Sequence, residues 1–311
     1  MELTPERPKI IITLDLVHTL LRRHEMHNSP LAIARIQRIE QEAARRVKRA
    51  LKNHDVHFLD SKTLEEGFRT HLEKEKLPVI SIDDIHIPTA VDRPNLFHLH
   101  LTRQYDVEAG THGHGPRPHA PSFEDQLGYL SGRLKGKQVA LVDTGIFGGE
   151  TLRRSVRLLE SNGIQVKRIY AGVVRRKGLE RIHDLMPGID VIHVLGDQGF
   201  CDDWMFEMRD LIFGGRVVKV KNQPAGTMHY CDVPEFLLPN PGRVTPENRK
   251  RTLAAINAEE LTRIGKDLRG KLNSLTSHTG IQIRKLKGPI VVFGRQVPVH
   301  LLINHSRGKI W

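Results

Sequence analysis

The sequence of 311 residues has little cysteine, few aromatic residues and no long apolar segment. Cys201 and Cys231 are too few for a framework of disulfides, so we expect a reducing, cytoplasmic environment. No apolar run approaches the roughly 20 residues that span a bilayer and no signal-like start is present, so no membrane association is expected. Aromatic residues make up 5% of the chain, and Phe293 and Trp311 are nearly the only candidates for stacking in its last part, from residue 245 on, which argues against a surface there that stacks single-stranded bases.

Basic residues are abundant instead. The formal net charge is +12, from 48 Lys plus Arg against 36 Asp plus Glu. Residues 216–311 hold 17 of the basic and 6 of the acidic residues, so this stretch carries +11 of that charge. Such a region attracts nucleic acid or anionic substrates, and the same composition describes an ordinary solvated surface. Nucleic acid is therefore one of two open interpretations for the last third of the chain.

Apolar runs typical of buried strands alternate with amphipathic helical segments along residues 1–220. We predict strands at 10–14, 56–59, 79–87, 96–101, 139–142, 166–174 and 190–195. We predict helices at 30–51, 64–72, 151–159 and 178–186. This alternation predicts an α/β fold with a doubly wound, mainly parallel sheet, in which ligands bind at the carboxyl ends of the strands.

The pattern changes after residue 220. Four prolines between 224 and 241 indicate an irregular segment. A helix is predicted to start at Thr245 and to continue to Leu272, and short strands are predicted within 281–303. We therefore expect residues 221–311 to form a small basic α+β appendage, which serves as a nucleic-acid-binding region, a lid over a substrate or the interface of a homodimer.

The stretch 139–151 organises the predicted site. A buried strand leads to Asp143, a loop that includes Gly148 and Gly149 follows, and a helix begins at Thr151. Glycines let the backbone approach a ligand, and the first N–H groups of a helix bind phosphate at its positive dipole end. The loop has neither a Walker A ending nor dinucleotide-binding glycine spacing. The Asp143 carboxylate beside this loop predicts that the ligand is a sugar phosphate. The alternative is a strand followed by a glycine turn in some other α/β protein, with no ligand implied.

This stretch resembles the diphosphate-sugar loop of type I phosphoribosyltransferases, in which apolar residues, an acidic pair and Thr-Gly-x-Thr follow one another. Asp143, Gly149 and Thr151 match. Thr144 stands where the second acid usually is, and Phe147 stands where many purine enzymes carry a catalytic Asp. The resemblance implies that Asp143 holds the ribose hydroxyls. It also implies that substrate is bound by Thr144, Gly148, Gly149, Glu150 and Thr151.

A second segment, residues 199–211, resembles part of the hypoxanthine-guanine phosphoribosyltransferases. Residues 199–204 contain a Gly, an Asp four positions on and an aromatic after it, and Arg-Asp-Leu begins at Arg209. The resemblance implies that Asp203 reaches Mg²⁺ through water, that Arg209 meets pyrophosphate and that Arg175 contacts the base. A helix cap at Asp203 and a surface position for Arg209 are the alternatives. Together the two matches cover residues 30–220.

A short loop of the family, placed after an early strand, receives the pyrophosphate. Ser61, Lys62 and Thr63 occupy that place here and supply a charge and hydrogen-bond donors. The alternative is a helix start capped by Ser or Thr, with Lys62 in solvent.

A long flexible loop of the family closes over the sugar diphosphate. Residues 110–119 are too rich in Gly and Pro for regular structure and are predicted to be this loop. Arg103 and Tyr105 stand at its base, where the family has a basic and an aromatic residue, and His112 is a further expected substrate contact. Transition-metal binding is the alternative explanation of the histidines, namely His98, His100, His112, His114 and His119.

The resemblance implies transfer of ribosyl 5-phosphate from phosphoribosyl diphosphate to a nitrogenous base or related acceptor, with Mg²⁺ as cofactor. Asp143, Arg103 and Lys62 are the expected catalytic residues, and Asp143 and Asp203 the expected metal-associated ones. Since Phe147 cannot assist proton transfer at a purine nitrogen, we expect an acceptor other than hypoxanthine or guanine. The alternative is a non-catalytic sensor of the phosphoribosyl ligand, or a regulator that binds nucleic acid.

Overall fold

The computed structural model describes residues 7–23, 29–87, 93–106, 111–117, 120–202, 205–213, 216–220, 223–228 and 257–279. The chain divides into two compact units, each described by itself below. Unit 1 comprises residues 1–58, 105–111 and 206–311, and unit 2 comprises residues 59–104 and 112–205. Within the described ranges, none of the helices has both the length and the apolar character needed to span a bilayer.

The described elements follow the predicted alternation of strands and helices. The strands are β1 (Lys9–Leu14), β2 (Asp55–Asp60), β3 (Val79–Ser81), β4 (Leu96–His98), β5 (Leu101–Asp106), β6 (Thr111–Pro116), β7 (Gln138–Ile146), β8 (Gln165–Arg175), β9 (Asp190–His193), β10 (Phe200–Cys201), β11 (Met205–Glu207), β12 (Arg216–Val220) and β13 (Gln223–Met228). The helices are α1 (Leu16–Arg23), α2 (Pro30–Ala50), α3 (Ser61–Leu72), α4 (Phe123–Leu134), α5 (Glu150–Glu160), α6 (Arg176–Leu185), α7 (Asp210–Phe213) and α8 (Ala258–Thr279).

Unit 2 is built on a parallel sheet with the strand order β10-β8-β7-β3-β4, and β9 also pairs with β8. Each of the described strand pairs in it is parallel. Ile169 and Ala171 of β8 belong to an apolar core shared with α4 and α5, whereas Gly172 meets α3. Consecutive strand residues point to opposite faces, so helices flank both faces of the sheet. The predicted α/β class with a mainly parallel sheet is confirmed.

The strand predicted at 79–87 ends much earlier, at Ser81. The Asp83 carboxylate accepts hydrogen bonds at 2.6 to 3.1 Å from the backbone N–H groups of residues 85–87. A single side chain therefore satisfies three consecutive donors and holds this segment in a turn, where a strand would have needed a partner for each of them.

The irregular loop predicted at 110–119 is wrong for residues 111–116, which form β6 and pair with β5. The Gln104 side chain donates a hydrogen bond to the Pro116 carbonyl (3.2 Å). A Cβ at Gly115 would lie 2.1 Å from the Gln104 amide, so a side chain there would displace the end of Gln104 and break this hydrogen bond. Sheet pairing thus overrides the glycine content, which by itself favours irregular structure.

Unit 1 has a three-stranded sheet in which β1 lies between β11 and β2. Glu40 of α2 is buried and accepts a hydrogen bond from the Leu16 N–H at 3.0 Å, so this acid caps the start of α1. Helix α8 packs directly on α7. A Cβ at Gly265 would lie 1.9 Å from the Leu211 carbonyl oxygen, so this approach requires glycine.

Helix α8 also packs on α2, where Arg46 pairs with Asp267 (2.8 Å) and Glu260 (3.4 Å). While the domain boundary predicted at residue 220 stays a prediction, this part of the expected appendage therefore belongs to the same compact unit as the N-terminal residues. The physical reason is the apolar face of α8, which is buried in unit 1. The strands predicted within 281–303 lie outside the described residues.

Glu75 connects the segment before β3 to the strand β8. Its carboxylate accepts hydrogen bonds from the Tyr170 hydroxyl (2.7 Å), the Arg168 guanidinium (2.8 Å) and the Leu77 N–H (2.9 Å). Burial alone would raise the pKa of Glu75, but these hydrogen bonds outweigh it and lower that pKa. Burial, together with the nearby carboxylate, raises the pKa of Tyr170 to about 12. The buried cluster therefore favours an ionised Glu75 beside a neutral Tyr170.

Glu75→Gln is expected to lower the free energy of unfolding by about 1–3 kcal/mol, because buried donors lose a charged acceptor. The folded pKa lies below the ordinary value of 4.5, so this stability is present above that pH and is lost as the pH falls through the folded pKa. Urea unfolding at several pH values measures both effects. The exposed neighbour Glu73→Gln is the control, and equal losses in the two variants would contradict the assignment.

Candidate functional site

Asp143 lies within β7, at the point where the sequence predicted a strand end. The strand continues to Ile146 because β8 still offers partners there, and Asp143 itself pairs with Ala171. The side chain of Asp143 is half-buried. Since strand residues alternate, it points to the opposite face of the sheet from Thr144. A carboxylate therefore stands near the carboxyl end of an inner strand, the edge at which parallel sheets bind ligands.

The loop after β7 turns directly into helix α5. Gly149 has φ 74°, a left-handed conformation that glycine adopts without strain, and it immediately precedes the helix. A Cβ there would lie 3.0 Å from the Ile182 side chain, whereas the space beside Gly148 is open. The first N–H groups of α5 have no acceptor inside the helix. The loop thus combines an open backbone with the positive end of an 11-residue helix.

Glu150, the first residue of α5, places a negative charge at this helix start. Arg153 pairs with it at 2.7 Å, and Arg181 of α6 pairs with it as well. Arg181 also donates to the Gly148 carbonyl at 3.4 Å. Two guanidinium groups therefore face one carboxylate beside the loop, which leaves the balance of charge positive.

Thr151 is in the first turn of α5, and its hydroxyl lies 3.1 Å from Nε2 of His114. His114 belongs to β6, within the segment that was predicted to be a flexible loop. The contact brings a hydroxyl and an imidazole, two groups that bind phosphate oxygens, to the start of the helix. No local pattern in the sequence indicates this contact, because the two residues lie 37 positions apart.

The Thr144 side chain is directed into the protein. Thr144 is 7% exposed, and its hydroxyl donates a 2.6 Å hydrogen bond to the buried Asp83 carboxylate. That carboxylate is the one that holds the turn after β3. The structure thus shows Thr144 in a fixed internal contact, and its hydroxyl helps to position the end of β7.

Arg175 is the last residue of β8 and is buried, with its guanidinium stacked 4.8 Å from the centre of the Phe147 ring. Its Nε donates to the Asp202 carbonyl at 3.5 Å. Helix α6 presses against the same loop, since a Cβ at Gly178 would lie 2.2 Å from the Phe147 carbonyl oxygen. Phe147 is therefore fixed by an arginine on its ring and by a helix on its backbone.

The segment expected to receive pyrophosphate forms the start of α3. The Asp60 carboxylate accepts hydrogen bonds from the Lys62 N–H (2.7 Å) and the Thr63 hydroxyl (3.2 Å). Ser61 is buried, whereas the Lys62 side chain is 78% exposed. The geometry is that of a capped helix start, the alternative considered from the sequence, but the cap is Asp60.

Helix α3 begins close to the carboxyl ends of β7 and β8. A Cβ at Gly172 would lie 2.4 Å from the Leu64 side chain and 2.7 Å from the Thr144 carbonyl. Leu64 is three residues after Ser61, so the first turn of α3 is level with Asp143 in the sheet. Unit 2 therefore brings the Lys62 segment and the β7–α5 loop to the same edge.

The other predicted residues are described to different extents. Arg103 is a half-buried residue of β5. Tyr105 and His112 lie in β5 and β6, and nothing is described of their side chains. Asp203 lies outside the described residues.

Arg209 belongs to unit 1, where it forms a buried ion pair that the sequence did not predict. Its guanidinium contacts the Asp15 carboxylate at 2.7 Å and the Glu207 carboxylate at 2.5 Å, and its N–H donates to Asp15 at 3.0 Å. The side chain of Arg209 is 11% exposed. The alternative of a surface position for Arg209 is therefore wrong, because the buried acid Asp15 holds the guanidinium.

Asp15 is fully buried at the end of β1. Burial raises the pKa of Asp15 to about 7, although the Arg209 guanidinium acts in the opposite direction. The nearby Glu207 and Asp210 carboxylates raise this pKa further. The cluster therefore releases a proton near neutral pH, far above the range of an ordinary aspartate.

The histidines considered as metal ligands do not share one environment. His114 contacts Thr151, while His98 and His100 stack with ring centres 5.6 Å apart. Burial, with a smaller effect of His100, lowers the pKa of His98.

The oxygen ligands near the loop decide whether this edge of the sheet suits Mg²⁺. Mg²⁺ prefers oxygen ligands and is commonly held by one or two carboxylates together with phosphates of the substrate. Asp143 offers one carboxylate within the described residues, at the same sheet edge as the loop. This donor fits a metal held largely by the substrate's own diphosphate.

No family model and no curated protein matches this chain. Solved structures similar to it include orotate phosphoribosyltransferase from Aeropyrum pernix, at 19% identity over 43% of this chain and 66% of that one, with a TM-score of 0.27. Adenine phosphoribosyltransferase from Thermoanaerobacter pseudethanolicus is 19% identical over 47% of this chain and 80% of that one, with a TM-score of 0.30. UMP synthase from Leishmania donovani is 18% identical, with a TM-score of 0.28, over 43% of this chain and only 26% of its own length. Likenesses of this size establish neither membership of a family nor an activity.

Asp15→Asn is expected to remove a pH dependence of stability. A carboxyl group whose folded pKa is raised from 3.8 to about 7 stabilises the fold below pH 3.8 and loses that contribution as the pH rises through about 7. The free energy of unfolding of the natural chain should therefore fall over this interval, relative to the variant, by on the order of 4 kcal/mol. Urea unfolding across the interval measures the difference. Asp197→Asn, at an exposed carboxylate, should leave the dependence unchanged, and parallel curves for Asp15→Asn would contradict the assignment.

Proposed function

We propose that the chain binds phosphoribosyl diphosphate and transfers its ribosyl 5-phosphate group to a nitrogenous acceptor, with release of pyrophosphate. One observation carries this proposal: a half-buried carboxylate, Asp143, stands near the end of the inner strand β7, and a left-handed glycine then opens helix α5. The combination suits a sugar hydroxyl pair beside a phosphate.

The loop and the first turn of α5 are assigned to the 5-phosphate. The backbone N–H groups of Gly148, of Gly149 and of the helix start are suited to donate hydrogen bonds to phosphate oxygens. The Thr151 hydroxyl adds a donor, and His114 beside it adds a second group able to donate. Glu150 is compensated by Arg153 and Arg181, so its charge does not repel the phosphate at full strength.

Asp143 is assigned to the ribose hydroxyls. The Thr144 hydroxyl already donates its hydrogen bond to Asp83. The Asp143 carboxylate alone would therefore hold the two ribose hydroxyls. Carboxylate oxygens accept hydrogen bonds from both hydroxyls, and these bonds strengthen as positive charge develops on the ring.

Lys62 and Arg103 are assigned to the leaving pyrophosphate. The Lys62 side chain is exposed and 3.9 Å from Glu66, a weak surface pair that a diphosphate of higher charge would displace. Mg²⁺, when bound, would offset the negative charge that the departing diphosphate gains. The resemblance to hypoxanthine-guanine phosphoribosyltransferases assigns Asp203 to Mg²⁺ and Arg209 to pyrophosphate, but the proposed reaction does not depend on either residue. Asp203 lies outside the described residues, and Arg209 is paired in unit 1.

In the reaction, the bond between the anomeric carbon and the diphosphate oxygen breaks, and its electron pair leaves with pyrophosphate. A lone pair on the acceptor nitrogen forms the new bond from the opposite face, which inverts the carbon. The protein's part is mainly positioning and electrostatic stabilisation of the cationic sugar ring.

The acceptor side of the site is assigned to Arg175 and Phe147. Their stacked side chains place a guanidinium and an aromatic ring, without a carboxylate base, after β7 and β8. An acceptor there has to lose its proton without help from residue 147, which favours a base other than hypoxanthine or guanine. The same feature supports the second candidate, a sensor that binds the diphosphate sugar and does not turn it over.

Asp143→Asn and Thr151→Val are each expected to weaken binding of phosphoribosyl diphosphate by roughly 10- to 100-fold, the equivalent of one lost hydrogen bond to a charged group. Isothermal titration in the presence of Mg²⁺ measures the affinity, and pyrophosphate release with a panel of nitrogenous bases measures turnover. Asp184→Asn and Thr70→Val, at exposed positions on helices, are the matched controls.

Three results distinguish the possibilities. Binding with base-dependent pyrophosphate release supports transfer, and binding without release supports the sensor. Pyrophosphate release that needs no base would identify a hydrolase. Absence of binding by the natural chain, or equal losses in the control variants, would overturn the assignment of the site.

A further inference from the structure

Helix α2 carries a row of basic side chains on the side opposite its buried residues. Four of them are exposed along the helix, namely Arg38, Arg45, Lys48 and Arg49. At 3.6 residues per turn they fall within an arc of about 100°, and at 1.5 Å per residue they extend over about 16 Å. They therefore form one continuous basic stripe.

The acids of α2 do not neutralise this stripe. Glu40 is buried and accepts a hydrogen bond from the Leu16 N–H. Glu42 pairs with Lys271 of α8 at 2.5 Å. Glu40 is thus used inside unit 1, and Glu42, which also interacts with Arg45, offsets at most part of the four positive charges, so the stripe stays net positive.

A pocket of about 390 Å³ lies at the end of the stripe, between the last turns of α2 and the start of α8. Its lining residues are Arg46, Arg49, Ala50, Asn257, Glu260 and Arg263. Three guanidinium groups therefore surround one carboxylate. Glu260 is held by Arg46 at 3.4 Å and by Arg263 at 2.6 Å, which leaves Arg49, shared with the stripe, as the additional positive charge.

The chemistry of this pocket suits a phosphate group. Guanidinium groups bind phosphate oxygens through paired N–H donors, whereas Glu259 and Glu260 in the first turn of α8 offset the positive end of its dipole. The volume exceeds that of one phosphate, and the stripe continues for about 16 Å beyond it. Since one strand of a nucleic-acid duplex presents a phosphate about every 3.4 Å of axis, the stripe matches about five of them.

We propose that the stripe and the pocket, together called the α2 face, bind the phosphate backbone of nucleic acid. The residues that line it include no aromatic side chain for base stacking, so recognition is through charge and independent of sequence. The α2 face lies within unit 1 and shares no residue with the site around Asp143. Nucleic-acid binding by the α2 face is therefore independent of the proposed transfer reaction.

Arg45→Ala combined with Arg49→Ala is expected to weaken nucleic-acid binding by the full-length chain at least tenfold. Fluorescence anisotropy with labelled duplex DNA and single-stranded RNA, over a series of salt concentrations, measures the affinity and its salt dependence. Loss of two phosphate contacts should lower the slope of log affinity against log salt by about 2. Arg49→Lys, which keeps the charge, should retain most of the binding.

Lys135→Ala combined with Lys137→Ala is the matched control, because it removes the same charge from exposed positions in unit 2. Thermal unfolding confirms that each variant is folded. If the two double variants weakened nucleic-acid binding equally, the binding would depend only on the net charge of the chain, and the proposal would be overturned. Failure of the natural chain to bind at low salt would overturn it as well. Displacement of the probe by inorganic phosphate at similar concentration would instead show a site for a single small anion.

Discussion

The parallel pairing of β7 with β8 is the contact on which the candidate site depends. Its register runs from Gln138 opposite Gln165 to Ile146 opposite Val174, and it therefore fixes the height of Asp143 in the sheet. The absence of a side chain at Gly172 lets α3 approach this pair from the other face. Two segments far apart in the sequence are thereby brought to one sheet edge, without either having to be held by the ligand.

Buried carboxylates decide how several polar residues are used. Asp83 receives three backbone N–H groups and the Thr144 hydroxyl, and Asp15 receives the Arg209 guanidinium. A buried acid costs free energy unless it is hydrogen-bonded, so it draws donors that would otherwise face solvent or a ligand. The Thr144 hydroxyl is consequently used inside the protein, although the sequence alone suggests a ligand contact.

Much of the fold follows from patterns that are local in the sequence. The apolar run before Asp143, the glycines after it and the helical spacing from Leu152 predict the order of β7, loop and α5, because each depends only on neighbouring residues. The same holds for α2 and α3. Strand length was less predictable, since β7 is extended by its distant partner β8, and β3 is shortened by the nearby Asp83 carboxylate, which holds residues 85–87 in a turn.

The polar contacts that the sequence did not predict, in each of the two units, depend on distant pairs. Asp15 and Arg209 are 194 positions apart, and Thr144 and Asp83 are 61 apart. A strand made of glycine, proline and histidine, such as β6, is recognised only when its partner β5 is known. Hydrogen bonds and ion pairs of this kind form only in the folded chain, because they satisfy polar groups that burial has removed from water.

The contact between Gly178 and the Phe147 carbonyl has a mechanical consequence. Because Gly178 has no side chain, its backbone lies directly against the Phe147 carbonyl, and no flexible side chain between them absorbs a displacement. Any shift of the Phe147 peptide has to be shared by α6, and with it by Arg181, which grips the same turn from further along that helix. A side chain at residue 178 would therefore displace the Phe147 peptide or the start of α6, and with α6 the contact between Arg181 and the loop.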